Sequence, residues 1–453
     1  MFPRLRGFRL SRLCRHLPRL RSVWRRQSMR MLAAALLLLS LTSSAADLSP
    51  AERQRNIESF EQVWKTVRDR HWDPKMNGVD WQAVHDELRP KIEKANSAAE
   101  ARKIIGDMLD RLKQSHFGIL PAAVYEQVQP GSAGSLEGRT GLDVRLIAGQ
   151  VLVTSVEDGS DAAGLGIRPG WELLAADGIE LAPIIARIAK ALEASNMLPL
   201  AAHAAVLHGL SGKPGSPVRL RLRNGEDQTV ELSVPRIQPR GLRTQFGFMP
   251  PLYAWSESRR LEGGVGYLAF NVFMDPENLM KTAAAAVTSC LDCKGFIIDL
   301  RGNPGGIGGM AMGLAGWFIE EKGRRLGTMY TRETTLNFVV NPRPVTYRGP
   351  LAILVDGCTA STAEILAGGL KDLKRARILG SRTAGAALPA TIQKLPSGDG
   401  FMCASASYIS EGGKPLEGSG VTPDVPIELT RESLLRDWDP VLKAAIDWIK
   451  QQK

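Results

Sequence analysis

Between about residues 240 and 453, short apolar, β-branched runs alternate with stretches of helical periodicity, and this alternation limits the architecture more than any other feature. The runs are 264–270, Gly295–Asp299 and Leu351–Val355, and each is followed by a helical segment, which predicts layered α/β structure. Two of the runs enter turns suited to chemistry. Gly295–Asp299 continues through Leu300-Arg301-Gly302-Asn303-Pro304 to Gly305-Gly306, a turn where backbone N–H groups can approach a ligand unhindered. Leu351–Val355 runs into Asp356-Gly357-Cys358-Thr359-Ala360-Ser361 and then a helix. Ser361 therefore stands beside free helix N–H groups of the kind that stabilise an oxyanion. Taken alone, a serine there reads as a helix cap. Segment 326–345 reads as a long excursion with a proline-rich end.

At 453 residues the chain exceeds one compact core, so two or three domains are expected. Residues 49–114 read as helical, with Ser49 as N-cap and Pro50 in the first position. Ile57, Phe60, Trp64 and Val67 form one apolar face; Trp81, Val84 and Leu88, then Ile104, Ile105, Met108 and Leu112, repeat the pattern. The result is a small bundle that must pack on something. His71 and His85 read as surface or packing residues. From Gly138 the texture changes to short strands with Gly and Asp turns: Gln150–Val156, 171–176, 218–222 and 229–234, with a helical insertion over 182–211. His203 and His208, in the insertion, read as structural.

The formal net charge of +11 invites a nucleic-acid reading, but ten arginines and no acid fall in residues 1–46; without that segment the net charge is +1. Nucleic acid is therefore not expected as a partner. The order of that segment, basic to Arg30, apolar over 31–41 and small over 43–46, reads as a secretory leader cleaved after Ala46. An uncleaved leader is the one membrane attachment to expect. Export permits disulfides. Cys290 and Cys293 read as a short-range disulfide or two buried thiols, and Cys358 with Cys403 as a possible pair. A single C-x-x-C gives no zinc site.

Gly141-Leu142-Asp143-Val144 and the stretch AGLGIRPGWELLAADG over 163–178 resemble a PDZ domain, with Trp171 replacing the usual Asp. The resemblance implies that Gly141, Leu142, Asp143 and Val144 cap the carboxylate of a bound peptide with N–H groups. DLRGNPGG (299–306), GCTASTAEI (357–365) and PLEGSGVTPD (415–424) resemble the motifs of the C-terminal processing, or tail-specific, serine peptidases, over roughly residues 50–430. That resemblance implies a multidomain α/β protein: leader 1–46, N-terminal helical bundle 47–125, PDZ-like β-rich domain 138–236 and a spiral β/α, crotonase-like peptidase core 240–453. It implies peptide-bond hydrolysis on polypeptides recognised by their C-termini, with no metal or other cofactor, in the periplasm, at the inner membrane, or outside the cell. Ser361 becomes the nucleophile, and the N–H groups of Gly306 and Thr362 the oxyanion hole.

The general base departs from the better-known branch, which uses the lysine of a Thr-Phe-Gly-Lys segment. Here the matching stretch is Thr383-Ala384-Gly385-Ala386, and a methyl group accepts no proton. A second branch, which includes the tricorn core, places a Ser-His pair before its PDZ region. Gln114-Ser115-His116-Phe117-Gly118 is similar to it, and Glu417 falls in that branch's Glu-x-x-Gly-Val-x-Pro-Asp segment. The likeness implies that His116 deprotonates Ser361 while Ser115 and Glu417 fix its tautomer and support its charge. An ordinary histidine would then place the acid limb of activity near a pKa of about 6.5. The missing lysine leaves a second reading, a catalytically inactive scaffold binding peptides through its PDZ domain, and the core's likeness to crotonase-type enzymes a third, an acyl-thioester enzyme. Nothing in the sequence suggests a coenzyme A site for the latter.

Overall fold

The computed structural model describes residues 48–122, 125, 138–192, 195–244 and 252–452, so the leader lies outside the described residues. Helices Pro50–Arg70, Trp81–Glu93 and Ala98–Leu109 realise the expected bundle. Ser49 and Glu52 form a capping box at the start of the first, an arrangement worth about 1 kcal/mol. Phe60, Trp64, Val67, Trp81, Leu88, Ile105 and Met108 are buried, as the periodicity requires. The bundle does not close on itself. Its apolar core continues into Leu388, Leu395, Phe401 and Cys403, and strand Gly118–Leu120 pairs antiparallel with Gly400–Ala404. Ser115 and His116 therefore stand where the bundle enters the C-terminal region. His71 packs inside, its Nε2 2.8 Å from Gln114 Oε1, and His85 packs on Trp64.

Residues 138–237 build an antiparallel sheet in the order Leu142–Ile147, Gln150–Val156, Glu172–Ala176, Pro217–Arg223, Thr229–Pro235, with its own apolar core. The insertion is a pair of helices, Leu181–Ala191 and Leu198–Leu210, the second lying along strand Leu142–Ile147.

The C-terminal region centres on a six-stranded sheet: Ser256–Leu261, Val265–Phe270, Gly295–Asp299, Leu351–Val355, Arg377–Gly380 and Val425–Pro426. All but the first pairing are parallel. Helices Pro276–Thr288, Gly309–Ala315 and Thr362–Asp372 cover one face, and Pro440–Gln451 covers the other. Burial on both faces explains why Val265–Phe270, Gly295–Asp299 and Leu351–Val355 are continuous apolar runs, while the edge strand Ser256–Leu261 is polar.

Two expectations change. The excursion at 326–345 is largely a β-hairpin, Arg325–Thr331 with Thr335–Val339, whose first strand also pairs with Ala406–Ser410; the prolines lie beyond it. Cys290 and Cys293 are bonded to each other, but Cys358 and Cys403 remain free thiols. Cys403 is committed to the core shared with the helical bundle, while Cys358 sits in the turn before Ser361, so no pairing forms. Among the described residues no helix is long and apolar enough to cross a membrane, and no cluster of His, Cys, Asp or Glu could hold a metal ion.

Candidate active site

The buried strand Leu351–Val355 delivers the chain to Asp356, whose carboxylate organises the following turn. Its Oδ1 accepts the N–H groups of Cys358 and Gly302, both at 2.9 Å, and its Oδ2 accepts Arg145 Nε at 2.9 Å. Burial alone would raise the Asp356 pKa. Arg145 and the two amides outweigh it and hold the carboxyl below its usual range. Thr359 Oγ1 donates to Leu300 O at 2.8 Å, and Ala360 N donates to Asn303 O at 2.9 Å. The two glycine-containing motifs are thus joined backbone to backbone.

Ser361 adopts φ 54°, ψ −120° and opens helix Thr362–Asp372. For a residue with a side chain, such a conformation costs on the order of 1–3 kcal/mol. Gly305 lies so close that a Cβ there would come 2.6 Å from Ser361 Cβ, so only glycine fits. Thr362 Oγ1 donates to Gly306 O at 2.7 Å, which holds those two residues side by side. Among the described residues, the N–H groups of Gly306 and Thr362 have no hydrogen-bond acceptor.

A second group of side chains meets at Glu417. Its Oε1 accepts Ser115 N at 2.7 Å; its Oε2 accepts Ser115 Oγ at 2.8 Å and Ala387 N at 3.1 Å. Ser115 Oγ lies 2.6 Å from His116 Nδ1. The hydroxyl has one proton and gives it to the carboxylate, so it accepts from Nδ1–H. That leaves His116 Nε2 with a lone pair, the tautomer a general base needs. His116 itself sits at φ 60°. Burial pushes its pKa down to about 4 and pushes that of Glu417 up, against the hydrogen bonds from Ser115 and Ala387. The imidazole is therefore neutral at pH 7.

Where the lysine of the better-known branch would stand, Ala386 is buried. It belongs to an apolar cluster with Ala360, Ala384 and, from the middle unit's insertion, Ile188, Leu192, Met197 and Ala201. The insertion also reaches both site loops through polar groups and close packing. Asn196 Nδ2 lies 3.2 Å from Gly418 O, and a Cβ on Gly357 would lie 2.7 Å from Pro199 Cγ. The segment Gly141–Val144 is not open. Val144 N donates to Asp143 Oδ1 at 3.0 Å, Leu142 N donates to Thr140 Oγ1 at 3.4 Å, and Val144 O is 2.8 Å from His203 Nδ1. His203 is thus structural, as expected.

The structure brings Ser115, His116 and Glu417 into one hydrogen-bonded chain and Ser361, Gly306 and Thr362 into another group. Sequence reasoning missed Arg145, Asp356 and above all Glu364. Glu364 is visible in GCTASTAEI, three residues after Ser361, but its partners at 383–386 are distant in sequence.

Residues 264–427 match peptidase family S41, and residues 51–110 match the tricorn protease C1 domain. Carboxyl-terminal-processing peptidase 3, chloroplastic, of Arabidopsis thaliana is 26% identical over 404 residues, covering 85% of this chain and 72% of its own length. The carboxyl-terminal-processing protease of Synechocystis sp. is 27% identical over 405 residues, covering 88% of this chain and 86% of its own. The solved photosystem II D1 C-terminal processing protease aligns with 86% of this chain and 97% of its own, at a TM-score of 0.56 and 24% identity, a likeness of fold. Fold and relatives together define a serine-type peptidase rather than an acyl-thioester enzyme. The peptidase family S41 likeness thus falls on the region that holds Ser361, and the tricorn C1 likeness on the N-terminal helices.

Proposed function

We propose that this chain is an exported endopeptidase that engages polypeptide C-termini and hydrolyses peptide bonds with Ser361 as nucleophile and His116 as base. The observation that carries the proposal is the chain from Glu417 through Ser115 to His116 Nδ1, which leaves Nε2 free to accept a proton. In the acylation step Nε2 takes the Ser361 proton as Oγ bonds to the carbonyl carbon. The developing oxyanion accepts from the Gly306 and Thr362 N–H groups. The proton then passes to the leaving amine as the C–N bond breaks, and water repeats the sequence on the acyl-enzyme. Ser115 and Glu417 support the transient imidazolium.

The antiparallel sheet over 138–236, with helix Leu198–Leu210 along strand Leu142–Ile147, is read as the PDZ module, and the helix-flanked parallel sheet as the spiral, crotonase-like core. A peptide tail would dock at Gly141–Val144 by exchanging the internal bonds of Leu142, Val144 and His203 for its own. The relatives' names, carboxyl-terminal-processing, agree with tail recognition. The leader 1–46 supports export, with membrane attachment only if it is retained. No cofactor enters the reaction.

The test is a serine-reactive phosphonate followed by peptide mapping. Wild type is expected to carry the label on Ser361, and Ser361→Ala to lose label and turnover together while still binding peptide. A label elsewhere, or turnover surviving in Ser361→Ala, overturns the assignment.

A further inference from the structure

Glu364 is a carboxylate with no exposure, and the reaction scheme above gives it no task. Its Oε2 accepts Ser361 N at 2.9 Å and Ala386 N at 3.0 Å; its Oε1 accepts Gly385 N at 2.8 Å and Thr383 Oγ1 at 2.5 Å. Four donors converge on two oxygens, and three of the four are backbone amides. One bond fixes the strained Ser361 backbone. The other three fasten segment 383–386.

That segment carries the arrangement onward. Gly385 O accepts Gly418 N at 2.8 Å, Thr383 Oγ1 accepts Val421 N at 2.7 Å, and the next amide, Ala387 N, binds Glu417 itself at 3.1 Å. Glu364 is therefore joined on one side to the nucleophile and on the other to the loop that presents Glu417 to Ser115. We propose that ionised Glu364 is a positioning residue for the reaction, holding Ser361 in its turned conformation and keeping the support of His116 in register with it. The proposal rests on the assignment of Ser361 and His116 given above.

Ionisation matters because backbone amides only donate. A neutral acid would have to place its proton toward Thr383 Oγ1, since the partners of Oε2 are both N–H groups, and its hold on Ser361 N and Ala386 N would weaken. The surroundings leave that choice delicate. Among the described residues no lysine, arginine or histidine hydrogen-bonds to Glu364. The nearest titratable groups along the network are Glu417, through Ala387, and His116, beyond Ser115. Arg382 is exposed beside Thr383, and Lys371 pairs with Asp424 near the other end of the helix. Burial pushes Glu364 up to about 7, against the hydrogen bonds from Thr383, Gly385, Ser361 and Ala386. The sign follows. Glu364 loses its charge as pH falls through about 7, well before His116 becomes protonated near 4. Activity falls in the same direction.

The decisive experiment is the pH profile of kcat for peptide hydrolysis in wild type, Glu364→Gln and Thr383→Val, each checked for folding by circular dichroism. Wild type is expected to lose rate through an apparent pKa near 7. Glu364→Gln should show kcat lower by about 10²-fold at pH 8 with little change in KM, and no limb near 7, only the lower one belonging to His116. Thr383→Val removes one donor to the ionised carboxylate and should move the limb to higher pH. A folded Glu364→Gln that keeps the limb near 7 overturns the proposal. If that variant does not fold, an unmoved limb in Thr383→Val does so instead. Turnover that survives Ser361→Ala would instead sink the underlying nucleophile assignment, so the two failures are told apart.

Discussion

Ser361 and His116 share one backbone property, a positive φ of 54° and 60° respectively, yet the molecule holds them in different ways. Ser361 is set mostly by main chain, with the Glu364 carboxylate on its amide. A buried parallel strand precedes it, a helix follows, Asn303 O takes the amide of the residue before it, and Gly305 packs against its Cβ. His116 follows the helical bundle's last turn and precedes a three-residue strand. Its polar support converges on a single carboxylate from 302 residues away, reached through Ser115. The nucleophile is framed by sheet, helix and one carboxylate close in sequence, whereas a base imported from another part of the chain depends on side chains remote from it. The His116 half should therefore be the easier one to disturb.

The largest disturbance is His116→Ala. Removing a general base costs about 10²–10⁴-fold in kcat, and phosphonate labelling of Ser361 should slow in step. A variant with full activity would show that the base lies elsewhere. Glu417→Gln comes next. One oxygen is replaced by an amide donor facing Ser115 and Ala387, a buried mismatch costing about 1–3 kcal/mol locally. Assayed at pH 8, kcat should drop by roughly 10–100-fold, with the Ser361 turn unperturbed by hydrogen exchange. Loss of protection at residues 359–362 in that variant would show that the disturbance travels through segment 383–387 and Glu364 to the nucleophile, and that the two halves are not unequal in robustness. Ser115→Ala is the mildest, because Glu417 keeps Ser115's backbone amide. A loss of about tenfold is expected, measured as kcat at pH 8, and a loss as deep as that of His116→Ala would mean that Ser115 does more than orient the ring.

Local signals were legible in the sequence. Ser49 and Pro50 announce the start of the first helix, Gln150–Val156, Gly295–Asp299 and Leu351–Val355 appear with their observed limits, and the place of Ser361 between strand and helix was readable from adjacent residues. What failed depended on partners remote in the chain. Thr335–Val339 was hidden because its residues are mostly exposed and the third strand of its sheet comes from 406–410. Glu364 looked like an ordinary acid in a helix's first turn until Thr383, Gly385 and Ala386 were seen around it. The depressed pKa of His116 likewise follows from burial, which the short Gln-Ser-His-Phe-Gly stretch does not reveal.

The methyl group of Ala386 has a consequence of its own. Writing a lysine back at that position would not restore an amine catalyst. The new ammonium would emerge among Ile188, Leu192 and Met197, with no space or solvent to receive it, and its cost could be relieved only by lifting the paired helices off the site. Exchanging the type of base in this scaffold is therefore a two-part change, the lysine together with a displaced pair of helices.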